Sequence, residues 1–331
     1  METLQWPIGI RLFNRPDYAE KLFHSLINQS LKIDSSLIYC IIDGFTGSKA
    51  EKTGQLDRTN EVEQLVKRYF PSATILKQEK NVGLAESLHI LQSRIFESHD
   101  TEWALFFEDD LLLDLDYLQQ INHLIRIATP AEDVVKVGVF QLRTGYVKAP
   151  PASGRKDFFL GEGTKACAER RSYFYQRKEL TEKYLSALSG RQYSDRDHVR
   201  IYTEMAMQGV FAFVTYNDAI HDRIAAYFHK LHVVTSLSFA QDIGAKGENS
   251  LRHPRVKLPH SNADQLLSYT SDEFQKMLPA LRQERTELEQ NQFHNFYQQF
   301  MAVSRGRYAL QFVISRGIEK IRAVLKGFVQ R

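Results

Sequence analysis

The chain has 331 residues, 43% of them hydrophobic and 25% charged, with 17 glycines, 9 prolines and a formal net charge of +3. This is ordinary globular composition, long enough for about two domains with real cores, and it excludes collagen-like, disordered and coiled-coil classes. Cys40 and Cys167 are the only cysteines, too few for a disulfide framework or a cysteine-based zinc site, and no apolar run nears the ~20 residues that cross a bilayer.

The small net charge is a cancellation. Residues 1–130 carry 13 Lys+Arg against 19 Asp+Glu, a net of −6, and residues 131–331 carry 30 against 21, a net of +9. The last 29 residues alone contribute +6, from Arg305, Arg307, Arg316, Lys320, Arg322, Lys326 and Arg331 against Glu319. The acidic half and the basic tail call for separate explanations.

A strand-like run begins within a few residues of Met1, so no secretory signal is expected. Strands are predicted at Ile8–Phe13, Leu37–Ile42, Ala73–Leu76, Trp103–Phe107 and Val134–Phe140. Between them Asp17–Asn28, Asn60–Phe70, Leu84–Phe96 and Asp114–Ile127 carry apolar residues at helical spacing, with Pro16 suited to a helix start and Asp114 to a cap. Alternation at this spacing means βαβ units and a parallel sheet covered on both faces. Gly145–Gly163 reads as a long loop, Arg177–Leu188 and Ala219–His229 as helices, Leu231–Ser236 as a strand and Gln241–Ser250 as a loop. After Pro254 the chain reads as largely helical.

In a parallel α/β sheet, ligands bind beyond the carboxyl ends of the strands. Asn14-Arg15-Pro16, Asp43-Gly44, Asn81-Val82-Gly83-Leu84 and Glu108-Asp109-Asp110 each follow a predicted strand, so all four are expected along one edge. Glu108-Asp109-Asp110 stands out because it lies between the apolar runs WALFF and LLL. Three adjacent carboxylates repel one another unless a cation or donors offset the charge. Oxygen ligands suit Mg²⁺ or Mn²⁺, which proteins usually hold with one or two carboxylates plus substrate phosphates. The same triplet also fits an acidic strand-end loop in which Asp109 or Asp110 caps the next turn. Arg15 suits a diphosphate or a plain helix start. Asp43 suits a base or ribose contact or a turn before Gly44, and Asn81 and Gly83 a ligand-lined backbone or a simple loop-to-helix junction. There is no GxxxxGK[ST] and no GxGxxG, which weighs against an ATPase and a dehydrogenase.

The segments PIGIRLFNRPDYAEKLFHSL, IIDG, NVGLAES and FFEDDLLLDLDYL, in that order over about residues 7–120, resemble the nucleotide-sugar half of a GT-A fold glycosyltransferase. The resemblance is to the inverting, family-2-like enzymes related to N-acetylglucosaminyltransferase I, in which the Asp-x-Asp motif takes the form Glu-Asp-Asp. It implies an α/β, Rossmann-like, mostly parallel sheet flanked by helices. It further implies that Asp110 ligates Mn²⁺ or Mg²⁺ on the donor diphosphate, that Glu108 and Asp109 meet the ribose and the sugar-phosphate side, and that Asp43 reads the base, normally uracil. Arg15, Asn81 and Gly83 would complete the donor site.

Farther on, NDAIHDRIAAYFHKLHVVTSLSFAQDIGAKGENS is similar to the family's late pattern, in which the Asp opening a helix is the general base. That Asp is Asp218, with Asp222 one turn on as the alternative and Asp195 and Asp197 as further competitors. Direct displacement at an anomeric carbon needs one carboxylate to take the acceptor's hydroxyl proton while the leaving diphosphate is stabilised. Asp218 equally suits a helix N-cap. Gln241–Ser250 would be the loop that orders over the donor.

The basic-aromatic stretch 163–178, with Lys165, Arg170, Arg171, Arg177, Tyr173, Phe174 and Tyr175, suits nucleic acid and an acceptor-sugar or anionic-acceptor cleft equally, and a solvated helix face better than nucleic acid. His221, His229, His232, His253 and His260 lack zinc spacing and read as structural. Tyr308–Val329 has an apolar face and a basic one, fitting an interfacial membrane helix or a helix packed on protein.

The expected organisation is a nucleotide-sugar-binding half at 1–140, an acceptor and catalytic half of the same domain at 141–255, and a helical extension at 256–331. The expected activity is metal-dependent inverting transfer from a nucleotide-sugar, a UDP-sugar, to a hydroxyl of a glycan or lipid-linked glycan, in surface polysaccharide synthesis. The expected place is the cytoplasm, peripheral on the inner face of the membrane through 308–329, with no nucleic-acid partner. A sugar nucleotidyltransferase and a non-catalytic glycan- or membrane-binding module are the alternatives.

Overall fold

A short β-rich run with no polar face, such as IYCII, is satisfied only in a sheet covered on both sides. The computed structural model describes residues 2–139, 158–161, 165–190, 195–212, 215–236, 238–244 and 268–304, and it has that architecture. Its strands are β1 (Ile8–Leu12), β2 (Ile38–Ile42), β3 (Thr74–Lys77), β4 (Trp103–Glu108), β5 (Leu111–Leu113), β6 (Val134–Gly138), β7 (Phe158–Leu160), β8 (Ala166–Arg170), β9 (Leu231–Thr235) and β10 (Ala240–Asp242). Its helices are α1 (Pro16–Ile27), α2 (Lys49–Lys52), α3 (Thr59–Tyr69), α4 (Gly83–Ser98), α5 (Tyr117–Ala128), α6 (Arg171–Leu188), α7 (His198–Met207), α8 (Asn217–Tyr227) and α9 (Ser271–Ser304).

The main sheet has the order β3-β2-β1-β4-β8-β6-β9-β7, and β5 and β10 form a small antiparallel pair beside it. In the main sheet β7 and β8 run against the other six strands. This is the α/β, mostly parallel sheet flanked by helices that the sequence leads one to expect. One face is covered by α1, α3, α5 and α9, through residues such as Leu22, Phe23, Val62, Val66, Leu118, Ile121, Phe274 and Leu278. The other is covered by α4 and α6, through Leu88, Leu91, Ile95, Phe96 and Phe174.

The first five predicted strands and four helices fall within a few residues of the observed ones, and Phe140 lies outside the described residues. The helix cap is corrected: α5 starts at Tyr117 with Asp116 in the cap position, because Leu111–Leu113 is a strand rather than a lead-in. Its partner β10 comes from the segment expected to be a loop, with Asp242 opposite Leu111 and Ala240 opposite Leu113. Residues 245–250 of that loop lie outside the described residues. The expected loop 145–163 likewise yields β7, which pairs with β9.

The largest correction concerns 163–178. ACAER forms β8, a strand buried along its whole length between β4 and β6, and the helix begins at Arg171 rather than Arg177. The strand half of the stretch is therefore no solvated face, whereas Ser172, Tyr175 and Gln176 of α6 are exposed. Glu169 of β8 is fully buried and meets Arg177 of α6, Lys136 of β6 at 3.0 Å and Gln92 of α4 at 3.2 Å. Arg177, also fully buried, further donates to Gln92 Oε1 at 2.7 Å and Thr181 Oγ1 at 2.9 Å. A buried charge persists only when paired and hydrogen-bonded, and this network ties two sheet-covering helices, α4 and α6, and the neighbouring strand β6 to the antiparallel strand β8. Arg170 lies over the ring of Trp103, 4.8 Å from its centroid.

Helix α9 is docked rather than loosely appended. Phe274, Leu278 and Leu281 enter the main core, Arg282 forks onto Asp133 at 2.6 and 2.9 Å, and Arg285 reaches the buried Asp222 at 3.0 Å. Among the described residues no helix is long and apolar enough to cross a membrane. The tail helix expected at 308–329, and His253 and His260, lie outside the described residues.

Candidate active site

The carboxyl ends of β1 and β4 lie side by side, with Arg11 in register with Glu108. The Arg11 guanidinium bonds Glu108 Oε1 at 2.5 Å and reaches the carbonyl of Leu84 at 3.4 Å. Beyond the end of β1, Arg15 forks onto both oxygens of Asp109 and comes within 3.4 Å of Asp110 Oδ2. Burial alone would lower the pKa of Arg15, but the charge of Asp109, its hydrogen bond and the charges of Asp110 and Glu108 outweigh it and hold the group firmly protonated. Asp109 and Asp110 are almost wholly buried. Burial pushes the Glu108 and Asp109 carboxyls above their usual range; Arg11 and Lys165 oppose this at Glu108, and Arg15 at Asp109.

Asp242, which sequence reasoning missed, and Lys165, which it placed only within the basic-aromatic stretch, complete the cluster. Lys165, just before β8, places Nζ 2.8 Å from Asp110 Oδ1, 2.9 Å from Asp242 Oδ2 and 3.8 Å from Glu108 Oε2. Asp242 ends β10, and its Oδ1 accepts from the N–H of Gly244 at 2.8 Å. The β5–β10 pairing presses this segment against the acidic triplet, and Ile243 N–H donates to the Asp110 carbonyl at 2.9 Å. The clues lay in the basic-aromatic stretch and in the Asp before Ile243-Gly244, but neither marked a contact so distant in sequence.

The residues at the end of β2 that the sequence assigns to a donor site form a separate cluster. Asp43 is buried at the strand end and accepts from Gly44 N–H at 2.8 Å, Val82 N–H at 2.8 Å, Gly83 N–H at 3.0 Å and Asn81 Nδ2 at 3.0 Å. Burial raises its pKa and the backbone donors oppose that rise. Asp43, Asn81 and Gly83 thus form one clamp that fastens the start of α4 to the end of β2, and all four acceptor positions of the carboxylate serve the chain itself. Gly83 has φ +82°, a left-handed conformation that favours glycine.

The two candidate bases are separated by their surroundings. Asp218, in the first turn of α8, is half-buried and close enough for its charge to raise the Glu108 pKa. Asp222 is buried between Arg285 at 3.0 Å and Arg223 at 3.1 Å. Burial would raise its pKa, but those arginines lower it, so it anchors α9 to α8. Asp197 caps α7 by accepting from Arg200 N–H at 3.0 Å. His221 and His232 are buried, and His229 pairs with Glu289 at 3.0 Å.

Among the described residues no three His, Cys, Asp or Glu side chains converge as a ready metal-ligand set. Two carboxylates do converge, Asp110 and Asp242, on the Lys165 ammonium. The absence of a side chain at Gly244 lets its backbone pack directly against them, since a Cβ there would lie 2.1 Å from Asp110 Oδ2. Two hard oxygen donors, with further sites left for phosphate and water, fit Mg²⁺ or Mn²⁺.

No protein-family model matches the chain, and no curated protein matches it. Among solved structures it is similar to S. aureus TarS 1-349 in complex with UDP-GlcNAc, at 13% identity and a TM-score of 0.44, covering 99% of this chain and 92% of that one. It is also similar to S. aureus TarS 1-349 in complex with UDP, at 14% identity and a TM-score of 0.40, covering 68% of this chain and 70% of that one. A longer S. aureus TarS structure matches at 11% identity and a TM-score of 0.40, over 69% of this chain, which spans 43% of the length of that one.

Proposed function

We propose that this chain is a metal-dependent inverting glycosyltransferase that moves a sugar from a nucleotide donor, a UDP-sugar, to a hydroxyl of a glycan or lipid-linked glycan. The observation that carries the reading is the convergence at one sheet edge of Glu108, Asp109, Asp110 and Asp242 with Arg11, Arg15 and Lys165, with Asp218 within electrostatic reach. Asp110 and Asp242 would hold a divalent cation, which supplies neutralisation of the diphosphate leaving group when bound.

The remaining chemistry belongs to the chain. Arg15, held by its fork onto Asp109, presents positive charge to the phosphates. Asp218 accepts the acceptor's hydroxyl proton as the oxygen attacks the anomeric carbon from the side opposite the diphosphate, which inverts the centre. The Asp43–Asn81–Gly83 clamp shapes the loop beside the base, and Glu108 and Asp109 border the ribose and the sugar-phosphate. The basic segment 308–329 would hold the enzyme on the inner, anionic membrane face where lipid-linked acceptors lie.

The test is UDP release from a panel of UDP-sugars with Mn²⁺ and acceptor glycans. Asp218→Asn should retain Mn²⁺-dependent UDP binding in calorimetry while transfer falls by about 10²–10⁴-fold, and Asp110→Ala should lose both. Full activity in Asp218→Asn would remove Asp218 as the base. Pyrophosphate as a product would instead make the chain a nucleotidyltransferase.

A further inference from the structure

Lys165 is the residue whose position the proposed chemistry least explains. Its ammonium lies between Asp110 and Asp242, where the two carboxylates best suited to a divalent cation converge. It donates a hydrogen bond to Asp242 Oδ2 at 2.9 Å. Asp110 Oδ1, shielded from solvent, has the ammonium at 2.8 Å but off the direction of a hydrogen bond. That oxygen is in close ion-pair contact with the ammonium.

The charge balance sharpens the point. Glu108, Asp109, Asp110, Asp218 and Asp242 are five carboxylates, and Arg11, Arg15 and Lys165 are three cations, leaving a formal −2. All three cations are already engaged with carboxylates. The diphosphate of a nucleotide-sugar adds about two more negative charges, one per phosphate, to a site whose cations among these groups are all engaged. Of the three, Lys165 holds its carboxylates by one hydrogen bond and two charge contacts, whereas Arg15 forks onto Asp109. A lysine is a compact point charge on a flexible stem, so it changes partner more readily than a forked arginine.

We infer that Lys165 is an exchangeable counter-ion of the site: it holds Asp110 and Asp242 together in the free protein, yields them when a divalent cation binds, and turns to the diphosphate of the donor. The inference rests on the glycosyltransferase reading for the donor, but not for the cation. Its consequence is that cation and nucleotide bind as a pair. The cation alone must displace Lys165, and the nucleotide alone meets a lysine that is committed elsewhere. Lys165 would thereby make donor binding depend on the cation without itself being a metal ligand.

The experiment measures Mn²⁺ binding by electron paramagnetic resonance, with and without UDP, in wild type and Lys165→Met. The variant should bind Mn²⁺ alone about tenfold more tightly, and UDP in the presence of Mn²⁺ about tenfold more weakly, the size of an ordinary coupling between sites. Unchanged or weaker Mn²⁺ binding in the variant overturns the inference. A measurement on wild type stands even where the variant does not fold: acetylation of Lys165 by a succinimidyl ester, followed by mass spectrometry. Its labelling should rise on adding Mn²⁺ and fall again when UDP joins Mn²⁺, and labelling indifferent to Mn²⁺ overturns the inference. The Mn²⁺ readings require no nucleotide. A protein that shows them but transfers no sugar refutes the glycosyltransferase reading alone, and a transferase without them refutes the role of Lys165 alone.

Discussion

Gly244 lies closer to the acidic cluster than a residue with a side chain could. A Cβ on it would lie 2.1 Å from Asp110 Oδ2 and 3.1 Å from Asp242 Oδ1, so Gly244→Ala must push the Asp110 carboxylate aside. The end of one side chain can give way cheaply, whereas the proposed transfer would not tolerate Asp110 moved by an ångström. Gly244→Ala should therefore lose about 100-fold in kcat/KM while its melting temperature stays within about 2 °C of wild type. Unimpaired turnover in the variant would show that Asp110 needs no fixed position. The acidic triplet was legible in the sequence because its members are consecutive and follow an apolar strand. Lys165 and Asp242 were not, because they lie 77 residues apart and meet only through strand pairing.

The β2–α4 connection shows the same division among elements. A strand ending in Asp43 and a helix opening after Asn81-Val82-Gly83 were both expected, but their joining was not. One carboxylate binds three backbone N–H groups and the Asn81 amide, and losing an acceptor for buried donors costs about 1–3 kcal/mol per group, less what water recovers. Asp43→Ala is expected to lower the unfolding free energy by about 2–4 kcal/mol in urea titration. A variant as stable as wild type, but weakened only in nucleotide binding, would instead mean that Asp43 acts on the base alone. Strand β8 shows why part of the sheet was missed. Its sequence ACAER carries a carboxylate in a fully buried run, and only the facing Arg177 and Lys136 make that acceptable. No local pattern announces a strand whose charge is neutralised by a helix and a neighbouring strand.

At the scale of the whole molecule, buried charge and buried histidine make stability pH-dependent. Burial lowers the pKa of His221, and that of His232 to about 3, with Arg177 and Lys136 adding to the effect at the first and Lys136 at the second. Both are neutral when folded and protonate near pH 6.5 when unfolded. The unfolded chain then binds more protons, so stability falls as pH drops below about 6.5, by up to about 1.4 kcal/mol per pH unit for each histidine. Glu169 and Asp222, lowered by their arginines against the effect of burial, add a further loss only below about pH 4. Urea titrations between about pH 6 and pH 5 should show this slope, and His232→Asn should reduce it by about one histidine's share. A slope unchanged in His232→Asn would show that His232 is protonated in the folded protein.

The sequence by itself determined what local pattern can carry: the α/β class, the early strands and helices within a few residues, and the edge on which Arg15, Asp43, Asn81 and the acidic triplet fall. Those features follow from periodicity and from the rule that polar residues after parallel strands share one edge. Tertiary structure decided which of those residues meet. It gave the Asp43–Asn81–Gly83 group to the chain as a clamp, set Asp222 to holding α9, left Asp218 within reach of Glu108, and brought Lys165 and Asp242 onto Asp110. The reason is physical: a buried charge is stabilised by whatever opposite charge the fold brings within a few ångströms, and that distance is not written in sequence spacing.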